Sequence, residues 1–139
     1  MSLNYRGLKI SDYHHIISLW EKTPGIGLST ADSRVNIESF LERNPGLSFV
    51  CEDENKIIGT ILAGNDGRRG YIYHLAVDKE YRKSGIARTL VLQSMEQLSR
   101  IGIEKCHLFV LKNNDLGKGF WESIGWEKRK DIVAFSKNI

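Results

Sequence analysis

Residues 71–101 read YIYHLAVDKEYRKSGIARTLVLQSMEQLSRI, and this stretch decides the fold. It opens with a run rich in aromatic and branched residues, Tyr71–Val77, which predicts a strand. A small-residue loop follows, and from Arg88 to Ile101 apolar residues recur at helical spacing. A strand that turns through a short loop into a helix leaves several backbone N–H groups unpaired and pointing one way. The stretch therefore predicts an anion site at the start of the helix.

The loop Tyr81–Ala87, with the sequence YRKSGIA, suits a bound pyrophosphate. Gly85 and Ala87 let the backbone approach phosphate oxygens without a side chain in the way. The dipole of the helix that follows adds a favourable interaction of about 0.3–1 kcal/mol per charge. Taken alone, the loop fits equally well as a plain strand-to-helix turn in which Gly85 relieves strain, so both interpretations stay open.

The composition is that of a single globular domain over residues 1–139, with 41% apolar and 27% charged residues. The net charge is +3, and the basic residues are scattered among acidic ones, so we expect no nucleic-acid partner. The small excess of positive charge favours a ligand with several phosphates. No apolar run approaches the roughly 20 residues that span a bilayer, and the N-terminus lacks a signal-peptide pattern. We therefore expect a cytoplasmic protein without a membrane partner.

The cysteines and histidines carry no metal or nucleophile pattern. Cys51 and Cys106 lie far apart in apolar segments, and we interpret them as small buried hydrophobic residues. His14 and His15 are adjacent, so they leave a helix on different faces. We predict no metal.

Hydrophobic periodicity along the whole chain predicts the order β-α-α-β-β-β-α-β-α-β, with one more strand open at the end. Such an order implies a mixed sheet with helices on its faces and a parallel pair around the central helix. Ser11 or Asp12 is the predicted cap of the first helix, and Thr30 or Asp32 that of the second. The predicted strands are Tyr5–Ile10, Leu47–Glu52, Lys56–Ala63, Tyr71–Val77, Ile103–Leu111 and a terminal hairpin over Trp126–Lys137.

Two motifs together resemble the GNAT acetyltransferase superfamily. Residues His74–Ala87 are similar to its fourth strand and its Arg/Gln-x-x-Gly-x-Gly/Ala loop. Residues Asn114–Trp126 are similar to its pattern Asn-x-x-Ala-x-x-x-Tyr-x-Lys-x-Gly-Phe. The element order also matches over nearly the whole chain, most closely that of small stand-alone bacterial members of the YpeA type. The resemblance implies a single-domain α/β (α+β) fold with a mixed, mostly antiparallel sheet flanked by helices.

The resemblance also implies acetyl-CoA as co-substrate. Main-chain groups of Leu75 and Val77 would bind the pantetheine arm and polarise the thioester carbonyl. Asn114 would hydrogen-bond the pantetheine, although an ordinary helix cap explains it equally well. The implied cofactor-binding residues are Leu75, Ala76, Val77, Arg82, Lys83, Ser84, Gly85, Ile86, Ala87, Arg88, Asn114 and Trp121.

The chain departs from the family pattern at the position of its catalytic tyrosine. Trp121 stands there, and an indole N–H is a donor that cannot act as a general acid near neutral pH. Trp121 then either packs on the cofactor or belongs to the core. Gly117 also replaces the usual alanine. The sequence therefore assigns no catalytic acid.

The general base is equally unassigned, and the candidates for catalytic residues are Tyr73, Tyr71 and Glu21. Strand alternation predicts that both tyrosines share a face with Leu75 and Val77, with His74 on the opposite face. There they would line the acceptor pocket, while a half-buried packing role explains Tyr73 as well. Glu21 ends the first helix beside a loop, where a solvated carboxylate is the simpler interpretation.

The expected activity is acetyl transfer from acetyl-CoA to a primary amine of a small molecule or peptide, by direct attack in a ternary complex. The sequence contains no Cys–His pairing pattern, so nothing in it suggests an acyl-enzyme intermediate. The alternatives are a non-catalytic acyl-CoA sensor, because the family tyrosine is missing, and a protein that only binds a partner. A homodimer remains open.

Overall fold

The computed structural model describes all 139 residues and places five strands in one sheet. The strands are β1 (Leu3–Gly7), β2 (Phe49–Asp53), β3 (Lys56–Asn65), β4 (Gly70–Val77) and β5 (Cys106–Leu108), and the helices are α1 (Tyr13–Glu21), α2 (Arg34–Arg43), α3 (Ile86–Arg100) and α4 (Asp115–Ser123). Single 3₁₀ turns cover Ile10–Asp12, Thr30–Asp32 and Lys79–Tyr81. No helix is both long and apolar enough to cross a bilayer.

The sheet runs in the order β1-β2-β3-β4-β5. Its first four strands are antiparallel neighbours, and β4 and β5 are parallel because α3 carries the chain back between them. The predicted mixed, mostly antiparallel sheet with flanking helices is therefore confirmed.

The two faces of the sheet carry different helices. Trp20 of α1 donates a hydrogen bond from Nε1 to Thr60 Oγ1 of β3 at 2.9 Å. A Cβ built on the neighbouring Gly59 would lie 3.0 Å from Ile86 and 3.2 Å from Leu90, both in α3. Successive strand residues point to opposite faces, so α1 and α3 cover opposite sides. The α1 side is a continuous apolar core that also takes in α2; it includes Leu8, Ile16, Leu19, Trp20, Ile37, Val50, Ile57, Leu62 and Ala76.

The chain divides into two compact units, residues 1–109 and residues 110–139. The sheet with α1, α2 and α3 forms the first, and α4 is the helix of the second. The single domain over residues 1–139 stays a prediction.

The helix caps differ from those predicted. Asp12 directly precedes α1, but its carboxylate accepts from Lys9 N–H and from the Arg6 guanidinium instead of capping the helix. Ser33 caps α2 by accepting from Asn36 N–H, because Asp32 is used elsewhere. Gly102, at φ +89°, ends α3 as predicted.

Two predicted strands are shorter or absent. The strand predicted over 103–111 forms only over β5, whose three residues pair with Gly70, Tyr71 and Ile72 of β4. The predicted hairpin over 126–137 is wrong, because no residue after Ser123 belongs to a helix or strand. The side chains of Val133 and Phe135 are exposed there, and alternating apolar residues form a strand only where another strand pairs with them.

Candidate functional site

A β-bulge interrupts β4 in the middle of the sheet. Thr60 pairs with Ala76, whereas Leu62 pairs with Tyr73, so two residues of β4 stand opposite Ile61 alone. The first of these two residues, His74, has φ +45°, an uncommon conformation for a residue with a side chain. Bulges of this kind turn a side chain to a new direction and are frequent beside active sites.

Because of the bulge, the side chains of β4 are arranged differently from the prediction. Tyr73 contacts Phe40 of α2 at 6.0 Å between ring centroids, and His74 contacts Trp20 of α1 at 4.6 Å. Both side chains therefore lie on the α1–α2 side. Val77 pairs with Gly59, which faces α3, and directly paired residues share a face. The prediction that Tyr71 and Tyr73 share a face with Leu75 and Val77, opposite His74, is wrong because the extra residue shifts the alternation.

The outer edge of β4 has no partner beyond Ile72. Its pairing with β5 covers Gly70, Tyr71 and Ile72 and ends there. Asp78 N–H donates to Ile58 O on the β3 side, and alternate residues direct their main-chain groups to opposite edges. The main-chain groups of Leu75 and Val77 therefore point to the unpaired edge, while Ala76 is buried against β3.

The predicted anion loop connects this edge to α3. Lys83 has φ +62° and Gly85 has φ +83°, and Gly85 is the N-cap residue of α3. The first main-chain bond of the helix runs from Thr89 N–H to Gly85 O at 3.0 Å. No main-chain N–H from Lys83 to Arg88 has an acceptor within the protein. The loop thus presents a row of free donors at a helix N-terminus.

The surroundings of the loop suit an anion. A Cβ placed on Gly85 would meet no atom within 4 Å, so the space in front of it is open. The side chains of Arg82, Lys83 and Arg88 are exposed at the same end of α3. Ala87 is half-buried, and Ile86 is buried in the core. Positive side chains and the helix dipole act in the same direction here.

Two side chains hold the loop in shape. Tyr81 donates from its hydroxyl to Asp53 Oδ2 of β2 at 2.7 Å, and this hydrogen bond to a carboxylate raises the pKa of Tyr81 to about 12. Ser84 donates from Oγ to Tyr81 O. Tyr81 therefore ties the loop to the sheet.

A histidine–aspartate pair lies at the bulge, and the sequence analysis missed it. Nε2 of His74 lies 2.7 Å from Oδ1 of Asp32, in the 3₁₀ turn before α2. Thr60 Oγ1 donates to His74 O at 3.1 Å and accepts from Trp20. The positive φ of His74, which brings its ring to this side, depends on the register of β3 and β4 and has no signal in the local sequence.

The catalytic candidates from the sequence lie in two environments. Tyr73 is 39% exposed, and burial, with smaller effects of Tyr71 and Cys106, raises its pKa. Tyr71 is half-buried, with its ring 6.5 Å from that of Tyr73 and 5.9 Å from that of His107. Glu21 is exposed at the end of α1. The two tyrosines are therefore grouped with each other, and Glu21 is a solvated helix end.

The second unit contains the other two predicted site residues. Asn114 caps α4, its Oδ1 accepting from Gly117 N–H at 2.9 Å. A Cβ on Gly117 would lie 2.5 Å from Asn114 Nδ2, so glycine rather than the family alanine fits this cap. Trp121 packs its ring against Phe120 at 5.2 Å and Trp126 at 4.9 Å.

The cysteines are unsuited to nucleophilic attack. Cys51 is buried and Cys106 is partly buried, and both are free thiols. Burial raises the pKa of Cys51, and it raises the pKa of Cys106 to about 11. Since the thiolate is the nucleophile, neither residue is reactive near neutral pH. The structure contains no cluster of three or more histidine, cysteine or acidic side chains spaced for a metal ion.

Comparison with known proteins identifies the family. A sequence profile of the Acetyltransferase (GNAT) family matches residues 13–126. Acetyltransferase plu1384 of Photorhabdus laumondii is 34% identical, over 99% of this chain and 96% of that protein.

Solved structures share the fold. The aminoglycoside acetyltransferase meta-AAC0020 from an uncultured soil metagenomic sample, in complex with trehalose, superposes with a TM-score of 0.75 at 22% identity, over 99% of this chain and 96% of that one. A chain of the NatC complex bound to Gag peptide and CoA superposes with a TM-score of 0.79 at 26% identity, over 94% of this chain and 87% of that one. The profile match and the curated relative confirm the resemblance inferred from the two motifs, and the chain belongs to the acetyltransferase (GNAT) family.

Proposed function

We propose that the protein is an acetyl-CoA-dependent N-acetyltransferase that moves the acetyl group to a primary amine by direct attack in a ternary complex. The observation that carries this proposal is the row of free N–H donors at the start of α3, next in the chain to the unpaired edge of β4. An elongated ligand with phosphates at one end and amide groups at the other matches both features.

The loop residues would bind the diphosphate. Main-chain N–H groups between Lys83 and Arg88 point away from the helix as hydrogen-bond donors, and the open space at Gly85 admits phosphate oxygens. Arg82, Lys83 and Arg88 add charge around them. Ser84, Ile86 and Ala87 contribute through their main chain.

The edge of β4 would bind the pantetheine arm as an added strand does. Leu75 and Val77 supply the main-chain donors and acceptors, and their side chains lie on the α3 side. A donor at this edge polarises the thioester carbonyl as negative charge develops on its oxygen. Asn114 and Trp121, in the second unit, stay predicted cofactor-binding residues from the family resemblance alone.

Attack without an acyl-enzyme follows from the chemistry of the cysteines. A thioester supplies an activated acyl carbon, so a free amine needs no covalent intermediate on the protein. The raised pKa of Cys106 and of Cys51 keeps both thiols protonated. The acceptor amine is thus the nucleophile.

The acceptor belongs to one of two chemical classes, small-molecule amines or peptide amines. The structurally similar proteins include one named an aminoglycoside acetyltransferase and one bound to a peptide and CoA. The Tyr71–Tyr73 pair offers an aromatic surface on the α1–α2 side, which suits the hydrocarbon or cationic part of an amine.

Substitution of Gly85 by Asp tests the phosphate loop. The carboxylate would occupy the open space with a negative charge, and we expect acetyl-CoA affinity to fall by more than about tenfold, measured by calorimetry. Gly85→Asn adds the same bulk without charge and should have a smaller effect. Gly67→Asp is the matched control, since Gly67 also has positive φ and no neighbour within 4 Å, but lies in the β3–β4 turn. Near-normal affinity of Gly85→Asp would refute the site.

A non-catalytic acyl-CoA sensor is the second candidate, and Trp121 in place of the family tyrosine favours it. Turnover separates the two functions. An enzyme releases free thiol from acetyl-CoA when amines from an aminoglycoside and peptide panel are added, detected with a thiol reagent. A sensor binds acetyl-CoA and raises its melting temperature without amine-dependent thiol release. A protein that binds only a partner shows neither effect.

A further inference from the structure

We infer that His74, held by Asp32, is the general base that removes the proton from the acceptor amine. This inference rests on the proposed acetyl transfer and adds a residue that neither the sequence motifs nor the family comparison identifies.

The hydrogen bond to Asp32 fixes the tautomer of His74. A carboxylate only accepts hydrogen bonds, so Nε2 carries the hydrogen that points to Oδ1 at 2.7 Å. In the neutral imidazole Nδ1 is then the nitrogen with a free lone pair, which can take a proton, and no group of the protein bonds to it. A histidine oriented in this way by an acid is a general base.

Asp32 is itself held on both sides. Its Oδ2 accepts from Ser29 N–H at 3.0 Å, and its main-chain oxygen accepts from the Tyr13 hydroxyl at 2.7 Å. The residue is 8% exposed, so its remaining oxygen is directed at His74 and not at solvent. The carboxylate thus positions one imidazole nitrogen and leaves the other for chemistry.

The backbone of His74 is held in an unfavourable conformation. Thr60 bonds its main-chain oxygen, and Trp20, which is 1% exposed, bonds Thr60 and packs on the imidazole. The positive φ of His74 is unfavourable for a residue with a side chain and persists because its surroundings impose it. Here the conformation turns the imidazole to the α1–α2 side, beside the aromatic surface of Tyr73.

His74 is also next to the proposed thioester position. Leu75 directs its main-chain groups to the unpaired edge, and consecutive Cα atoms lie about 3.8 Å apart. An amine that approaches a carbonyl bound at Leu75 from the α1–α2 side passes the imidazole, whose side chain is 16% exposed. The base is therefore within reach of the nucleophile, directly or through one water molecule.

With His74 as the base, every proton in the transfer is accounted for. Nδ1 takes one proton from the substrate ammonium, and the freed nitrogen lone pair forms a C–N bond with the carbonyl carbon. The C–S bond then breaks, and the departing thiolate takes the second proton released from the substrate nitrogen. His74 returns its proton to solvent. This sequence needs no acid at Trp121.

Chemical rescue of His74→Gly tests the inference. Glycine accepts the positive φ at this position and leaves a space beside Trp20 and Asp32 that fits free imidazole. In the presence of saturating acetyl-CoA, we expect kcat for amine-dependent thiol release to fall by about 10²–10⁴-fold, with acetyl-CoA affinity unchanged within about twofold. Added imidazole should restore a saturable part of kcat.

Three further variants separate a base from a structural clamp. His15→Ala removes an exposed imidazole and should leave kcat unchanged. His74→Asn tolerates positive φ, retains a polar side chain and should lose kcat without losing its fold. Asp32→Asn, a positioning change, should lower kcat less than His74→Gly, and in the double variant imidazole rescue should weaken.

The outcomes distinguish this inference from the proposed function. If the wild type releases thiol and His74→Gly retains kcat within about threefold, the assignment of His74 as base is overturned and the transferase function stands. The same holds if His74→Gly loses kcat, still binds acetyl-CoA and is not rescued by imidazole. A wild-type protein that binds acetyl-CoA and releases no thiol with any amine overturns the transferase function and the base with it.

Discussion

At the scale of single residues, protonation limits which side chains do chemistry at the bulge. Burial raises the pKa of Tyr73, with Tyr71 and Cys106 adding to the effect, so its phenol stays protonated near neutral pH. A protonated phenol donates a hydrogen bond but does not accept a proton from an amine. Tyr73 therefore suits acceptor positioning, and the base must be sought in another residue.

The cysteines give a prediction at this scale. Changing both Cys51 and Cys106 to Ala should leave kcat for amine-dependent thiol release within about threefold of wild type, because the proposed direct attack uses neither thiol. Some loss of thermal stability is expected, since Cys51 is fully buried. Loss of transfer with acetyl-CoA binding intact would instead indicate a covalent route through one thiol.

At the scale of elements, periodicity predicted the strands and helices better than their termini or their registers. The apolar spacing in residues 86–100 and the glycine at 102 were sufficient to predict α3, which is why the loop before this helix could be located from the sequence. The bulge in β4 depends on which residue of β3 stands opposite His74, and a period of two along one strand carries no such information. The His74–Asp32 pair was missed for the same reason.

The cap of α2 gives a prediction about element stability. Ser33 Oγ accepts from Asn36 N–H at the first turn, so Ser33→Ala should destabilise the protein by about 1 kcal/mol in urea unfolding. Ser39→Ala, at an exposed position within the same helix, is the matched control and should be neutral or slightly stabilising. Equal effects of the two changes would show that Ser33 is not a cap.

At the scale of the whole molecule, an ion cluster joins parts of the chain that are distant in sequence. Arg6 of β1 bonds Asp12 Oδ1 at 2.8 Å and Glu52 Oε1 of β2 at 3.1 Å. The Glu52 partner cannot be read from spacing, because β1–β2 pairing brings it beside Arg6. The prediction of a terminal hairpin was wrong for a related reason. Alternation of apolar residues over 126–137 does not show whether another strand is there to pair with them.

The ion cluster predicts how stability depends on pH. Burial opposes ionisation of Asp12, but hydrogen bonds from Arg6 and from Lys9 N–H outweigh it and lower the pKa of that carboxyl. The hydrogen bond from Arg6 is the main cause of the lowered pKa of Glu52. A lowered pKa in the folded state adds stability above the unfolded-state value of about 4, and this stability is lost as pH falls below it.

Urea midpoints measured between neutral pH and about pH 3 check this dependence. Wild type should lose stability below about pH 4, and Arg6→Met should be less stable at neutral pH by about 1–3 kcal/mol with a weaker acid dependence. Arg129→Met breaks an exposed ion pair with Asp131 and should behave as wild type. An unchanged acid dependence in Arg6→Met would contradict the role of the cluster.

The most direct test of the central claim is a titration of the ¹⁵N-labelled protein with acetyl-CoA, followed through its main-chain amide resonances. If the start of α3 holds the diphosphate and the edge of β4 holds the pantetheine, the largest shifts will fall on amides between Lys83 and Arg88 and on Leu75 and Val77. Saturable binding that leaves these amides unshifted, with changes confined to other parts of the chain, would contradict the account.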